Sequence, residues 1–282
     1  MSNNITLGFE FEIYNLELET IEHAVSQSGL NCLNAGYTHE NNTVWKAVRD
    51  GSCGSELVSR VLTRGDFTEI RTALKAVKSV GAKIDRRCGL HVHIGAHTAD
   101  CLNTHLQNEN GFVEEGCEWF ITNLDGLYRN WFSVQSAING LTSPSRYGNR
   151  FTQHLSEQVV ERRIRYGLLN WVERTNWREA GDDERYASLN ILPLKKYATV
   201  EFRQHQGTLN DAKAIAWSDF CLAFILASNA GEDFRTLPIR QYTNRRDELS
   251  TAEARLLVYF LMEKGYLPQS AGNWLLTNKM GQ

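Results

Sequence analysis

Gly8-Phe9-Glu10-Phe11-Glu12 alternates aromatic with acidic residues, and the reading of the whole chain starts from that alternation. Side chains on a strand point to opposite faces in turn, so Glu10 and Glu12 share one face and Phe9 and Phe11 the other. The aromatic face belongs on a core and the acidic face looks away from it. The same pattern returns far along the chain. In Cys88-Gly-Leu-His-Val-His-Ile-Gly95, His91 and His93 lie opposite Leu90, Val92 and Ile94. In Thr199-Val-Glu-Phe-Arg-Gln-His205, Glu201, Arg203 and His205 lie opposite Val200, Phe202 and Gln204. Ser55-Glu-Leu-Val-Ser59 adds Glu56. Joined in one sheet, these segments are expected to bring four carboxylates, three imidazoles and an arginine to one face.

Carboxylates gathered so closely repel one another and push up each other's pKa values unless a cation sits among them. A divalent metal answers that need. Oxygen-rich ligand sets suit Mg²⁺, and an imidazole in the set admits Mn²⁺; Zn²⁺ is not expected. Such an ion beside an arginine suits the holding of phosphates. The chain has no Gly-x-x-x-x-Gly-Lys-Ser/Thr loop, which excludes a P-loop enzyme.

Working outward, strands are expected over Ile5 to Tyr14, Thr43 to Arg49, Glu56 to Leu62, Gly89 to Ile94 and Thr199 to His205. Asp50-Gly51 marks a turn that makes the second and third antiparallel neighbours. Asp66-Phe-Thr-Glu69 and Ser250-Thr-Ala-Glu253 read as capping boxes, and Asn210-Asp211 as the start of a third helix through Trp217, Phe220, Leu222 and Ile225. The region from about Gly111 to Trp177 is also helical in pattern, broken near Ser143-Pro144 and Tyr147-Gly-Asn149. The expected class is α+β: an antiparallel-rich sheet with helices packed on one side. One domain is expected over 1–282, with a helical insertion over about 111–185 and a helical C-terminal part over about 210–282. No repeat or low-complexity linker divides it.

Composition narrows the function. With 42% apolar and 22% charged residues the chain reads as globular, and its formal charge of -3 argues against a general nucleic-acid-coating role. Six cysteines without a Cys-x-x-Cys pair read as small buried thiols. The first residues carry no secretory signal pattern and no segment has the apolar length of a membrane span, so a cytoplasmic location with no membrane partner is expected.

Taken together, Gly8–Glu12, Trp45-Lys-Ala-Val-Arg-Asp-Gly-Ser52, Ser55–Ser59, Cys88–Gly95, Tyr186-Ala-Ser-Leu-Asn190, Thr199–Arg203 and Gly207-Thr-Leu209 resemble the amidoligase family in kind and order, over about residues 7 to 210. Its catalytic domain is similar to those of glutamine synthetase and glutamate-cysteine ligase. The resemblance implies a curved, antiparallel-rich sheet of the glutamine synthetase catalytic-domain type that holds ATP and two Mg²⁺ (or Mn²⁺) ions. It implies that the γ-phosphate passes to a carboxylate and that an amine then displaces phosphate to form an amide or isopeptide bond. By position, Glu10, His91 and Glu201 are implied as ligands of the ion beside the phosphates, and Glu12 and Glu56 as ligands of the second. Arg203 is implied as the clamp on the transferred group, His93 as a phosphate or ribose contact, and Asn190 and Asp50 as substrate contacts.

Two features depart from the pattern. Arg60 stands where many relatives have proline, and the helical region before Tyr186 carries no family motif, so it is expected to set substrate choice. That region includes Arg146, Arg150, Arg162, Arg163 and Arg165, which read either as a solvated helix face or as a docking surface for an acidic partner, nucleic acid or a modified base. The expected partners are a small-molecule or peptide carboxylate and an amine. Two other functions fit the same residues: a divalent-metal-dependent phosphoesterase or nuclease, and an inactive binding module that keeps the fold.

Overall fold

A computed structural model of the chain describes residues 5–37, 43–98, 120–146, 149–176, 180–181, 185–240 and 248–278. Among them the elements run β1 (Ile5–Ile13), α1 (Leu18–Gln27), β2 (Cys32–Gly36), β3 (Trp45–Asp50), β4 (Gly54–Val58), α2 (Phe67–Ser79) and β5 (Gly89–Thr98). There follow α3 (Leu124–Ile138), α4 (Glu157–Tyr166), α5 (Leu168–Arg174), β6 (Leu189–Asn190), α6 (Leu194–Tyr197), β7 (Thr199–Gln206), α7 (Asp211–Asn229), α8 (Glu248–Glu263) and α9 (Gln269–Asn278).

The strands form one open seven-stranded sheet in the order β2-β3-β4-β1-β5-β7-β6. Every neighbouring pair is antiparallel except β2 with β3. The expected hairpin is there: β3 and β4 pair from Asp50 opposite Gly54. Asp50 Oδ1 closes the turn by accepting from the backbone N–H groups of Ser52 at 2.7 Å and Cys53 at 2.8 Å.

One face of the sheet is dry. Phe9 and Phe11 stack with ring centroids 5.8 Å apart, and Leu57, Leu90, Val92, Ile94, Val200 and Phe202 are buried in the same core. Phe67 at the start of α2 meets Phe9 edge-on, and Trp131 of α3 meets Phe202 at 5.1 Å. The long helices therefore pack where the alternation places the apolar residues. The short helix α6 differs: with the segment before β6, it lies over the polar face and helps line the cavity there.

Several boundaries differ from the sequence expectation. β2 and β6 were not expected. The capping box lies one step earlier than Asp66–Glu69: Thr63 N and Oγ1 both donate to Asp66 Oδ2, at 2.7 and 2.8 Å. Glu69 instead accepts from Arg60 Nε and Trp45 Nε1, both at 3.0 Å. Ser250 is inside α8, which begins at Glu248, and Glu253 holds Arg240 at 2.8 Å. Asn210 does cap α7, accepting from Lys213 N at 3.0 Å. Cys32, Cys53, Cys88 and Cys221 are buried free thiols, while Cys101, Cys117 and the first part of the 111–185 region lie outside the described residues. No helix among the described residues is long and apolar enough to cross a membrane.

Candidate active site

Register carries the polar face across the sheet. Glu10 of β1 stands opposite His91 of β5, Glu12 opposite Glu56 of β4, and His93 opposite Glu201 of β7. Side chains of directly opposed residues stand together, so these pairs meet. His91 Nδ1 is 2.9 Å from Glu10 Oε2 and 3.5 Å from Glu201 Oε1, and its Nε2 is 3.4 Å from Glu12 Oε1. His93 Nε2 is 3.3 Å from Glu10 Oε1, and its Nδ1 is held by Thr199 Oγ1 at 2.9 Å. Arg203 Nη1 donates to Glu201 Oε1, and Asn190 Nδ2 donates to Glu201 Oε2 at 2.8 Å.

Burial makes this arrangement electrostatically demanding. Glu12, Glu56, His91 and Glu201 are all at most 4% exposed. Burial, followed by the charges of Glu10, Glu12 and Asp50, pushes the Glu56 carboxyl well above the usual range. Burial works against Glu10 too, yet His93 and His91 outweigh it and hold Glu10 well below the usual range. Burial also opposes a charged His93, but Glu10 and Glu201 win and raise it. The Nε2 atoms of His91 and His93 are buried and make no well-formed hydrogen bond, having carboxylate oxygens at 3.4 and 3.3 Å. Buried polar atoms are rarely left so, and groups that await a ligand are one reason.

Metal-compatible groupings follow from the same geometry. Ligand atoms of Glu10, Glu56 and His91 lie within 4.8 Å of one another, as do those of Glu10, His93 and Glu201, with Glu10 in both sets. Glu12, Asp50 and Cys53 make a third such group. Oxygen-rich sets with an imidazole suit Mg²⁺ and Mn²⁺. A cavity of about 750 Å³ opens on this face, lined from the sheet by Glu10, Asp50, Glu56, His91, His93, Glu201 and Arg203. Tyr186, Arg185, Lys195, Lys196 and Tyr197 line its opposite wall. Glu12 and Asn190 sit beneath the lining: Glu12 Oε2 accepts from Gly89 N at 2.6 Å, and Asn190 supports Glu201.

One expectation from the sequence fails here, and one of its alternatives finds no support. His205 does not join the polar face. The register between β5 and β7 shifts between Leu90 and Val92, so His205 pairs with Leu90 and lies against the Trp217 ring of α7, tilted to it, with centroids 5.1 Å apart. A bulge of this kind inverts the faces beyond it. Nor do the five arginines form one basic surface. Arg146 and Arg163 are 1% exposed; Arg163 donates to Tyr128 OH and lies 4.1 Å over the Trp171 ring, while Arg150, Arg162 and Arg165 are exposed. The arrangement gives no support to a nucleic-acid surface.

Sequence reasoning misses two buried cations at the site, besides Arg185, Lys195 and Lys196 in the facing wall. Lys46 of β3 is 1% exposed in the field of Glu10 and Glu56; burial lowers its pKa against their pull. Lys46 lies on the same strand face as Asp50, four residues earlier, so strand alternation is the signal that could have found it. Arg146 comes from an irregular turn, where no period could announce it. Its Nη2 donates to Arg203 O at 3.0 Å, and burial lowers it to about 10 against the attraction of Glu12. Gly89 lets it pass: a Cβ there would stand 2.9 Å from Arg146 Nη2.

Fold and site together define a mixed α+β protein with a carboxylate-, imidazole- and guanidinium-lined cavity on one face of a mostly antiparallel sheet. Residues 3–110 and 114–225 match the family model described as "Putative amidoligase enzyme", and the chain belongs to this amidoligase family. Membership supports a function of ligase type. A crystal structure of a bifunctional glutathione synthetase from Pasteurella multocida is similar over 99% of this chain at 11% identity and a TM-score of 0.45. The chain spans about half of that protein, 47% of its length. No curated protein sequence matches the chain.

Proposed function

We propose that the chain is an ATP-dependent carboxylate-amine ligase acting through an acyl phosphate, with residues 1–282 working as one catalytic unit of the glutamine synthetase type. The observation that carries the reading is the convergence of Glu10, Glu56, His91, His93, Glu201 and Arg203 on one 750 Å³ cavity in a chain of the amidoligase family. The γ-phosphoryl group of ATP moves to a carboxylate oxygen and ADP leaves. A neutral amine then attacks the acyl carbon, phosphate departs, and the amine gives up a proton to yield the amide.

Glu10, Glu56 and His91 form one ligand set for a divalent ion, and Glu10, His93 and Glu201 a second, with Glu12 behind them. Bound there, Mg²⁺ or Mn²⁺ would offset the charge on phosphate oxygens. Arg203 orients the transferring group through its fork of donors, and its own position is fixed by Glu201. Asp50 and Asn190 position rather than react, through the β3–β4 turn and through Glu201. Lys195, Lys196 and Arg185 on the facing wall favour an anionic substrate.

Incubation with Mg²⁺, ATP and pools of acids and amines, read by mass spectrometry, tests the reading. ADP, phosphate and an amide are expected together, all abolished by chelation. AMP and pyrophosphate as products would replace the acyl phosphate by an adenylate, and cleavage of a phosphoester without ATP would replace the ligase by a hydrolase.

A further inference from the structure

A second cavity, of about 490 Å³, lies at the other end of β7, where Gln206 and Gly207 leave the sheet. Among the described residues none lines both cavities. Besides Gln206 and Gly207, its walls come from three places: Ile84–Arg86 before β5, Thr142–Ser145 after α3, and Lys213 in the first turn of α7. The volume is in the range of small-ligand sites.

Among the described residues the chemistry of the walls is cationic and hydroxylic, with no aromatic ring. Arg86 and Lys213 bring positive charge. The one carboxylate in the lining, Asp85, is already held by Arg87, which reaches Oδ2 through Nη2 at 2.8 Å and Nε at 3.0 Å. Ser143 and Ser145 present hydroxyls 3.2 Å apart. Thr142, 1% exposed, has a hydroxyl without a hydrogen-bond partner. Gln206 Oε1 fixes the turn by accepting from Ser143 N at 2.9 Å. Two cations and three hydroxyls around a concave space make an acceptor-rich anion the matching occupant.

We propose that this cavity is a binding site for a small oxyanion, a carboxylate or a phosphate, separate from the candidate active site. Its position gives binding a route to that site. The turn that lines the cavity ends in Arg146, whose N–H donates to Ser143 O at 2.9 Å and whose guanidinium donates to the Arg203 carbonyl. Four residues thus connect an anion at Ser143 with the strand that carries Arg203.

The test reads binding alone, so it stands or falls apart from the ligase reading. The full chain, without metal, is titrated calorimetrically with inorganic phosphate and separately with acetate. Saturable binding of at least one probe below about 10 mM is expected. Affinity should drop about tenfold or more both in the Arg86→Ala, Lys213→Ala double variant and in Ser145→Phe, which fills the space without removing a charge, and should hold in Arg203→Lys. Binding of one probe only supports the site and names the source of the anion. No saturable binding, or binding that survives in both cavity variants and is lost in Arg203→Lys, overturns the proposal.

Discussion

The two faces of β1, β5 and β7 are built from neighbouring residues and obey opposite rules. Phe9, Phe11, Val92 and Phe202 are buried by apolar neighbours on one face. One position away, Glu10, Glu12 and Glu201 are largely buried in one cluster with Glu56, their charge answered in part by His91, His93 and Arg203. The difference teaches that the first face supplies the stability that lets the second remain electrostatically uncomfortable. A group on the dry face should matter to folding and little to chemistry, and a group on the wet face the reverse.

The sharpest break of this comparison is between adjacent residues. Phe202→Ala should cost about 4 kcal/mol of stability in denaturant titration, because it empties the space against Trp131. Glu201→Gln should leave the denaturation midpoint of the metal-free protein unchanged or higher, while lowering turnover about a thousandfold or more. A large stability loss in Glu201→Gln would mean the wet face is structural.

Next comes Arg203→Lys, which keeps charge and loses the planar fork. Turnover should fall about a hundredfold, roughly 3 kcal/mol in the transition state, with a smaller change in ATP affinity. Near-normal steady-state kinetics would remove the clamp.

Both faces also hold a carboxyl whose pKa is raised, and pH separates them. Burial pushes Asp219 on α7 up to about 6 despite Arg64 at 2.9 Å, and burial with its acidic neighbours raises Glu56. A raised carboxyl favours the fold while protonated, so its contribution is complete below the unfolded value and disappears as pH climbs through the folded one. For Asp219 that window runs from about 4 to about 6 and amounts to at most about 3 kcal/mol. Thermal melts across this range should show metal-free stability declining with rising pH. Asp219→Asn should remove the part that Mn²⁺ does not restore, and Mn²⁺ the part due to Glu56. A decline that Mn²⁺ leaves untouched would take Glu56 out of the ligand set.

The smallest effect concerns Lys46. Its ammonium competes with a divalent ion for Glu10 and Glu56, so Lys46→Met should raise Mn²⁺ affinity several-fold, about 1 kcal/mol. Weaker binding in calorimetry would show that Lys46 organises the ligands instead.

What the sequence made legible was whatever repeats with period two. β1, β5 and most of β7 could be read because aromatic or β-branched residues alternate with Glu, His and Arg, and the same parity assembled the polar face. Cys32-Leu-Asn-Ala-Gly36 has little strand character, and it is a strand because β3 offers it a partner. Leu189-Asn190 is too short to carry a pattern. The bulge that turns His205 inward has no marker, since no glycine or proline lies between Phe202 and His205. Thr63-Arg-Gly-Asp66 and Asp66-Phe-Thr-Glu69 both resemble helix starts, and tertiary contacts separate them: Arg60 and Trp45 engage Glu69, while Asp66 keeps Oδ2 for Thr63 although Arg60 also reaches its Oδ1. Arg146 reaches the site from a turn, where position depends on tertiary contacts alone.

The order of the strands has a consequence for how the molecule is made. β1 stands in the middle of the sheet, yet in chain order it precedes every strand that flanks it: β4, β5 and, beyond β5, β7. Until those arrive, its phenylalanines have no cover and both its edges are unpaired, a state open to aggregation. Pairings at such long sequence separation are slow to form. The Glu10, Glu56 and His91 set needs only β1, β4 and β5, whereas Glu10 and Glu201 come together only when β7 docks, so uptake of a second divalent ion during refolding would time the arrival of β7.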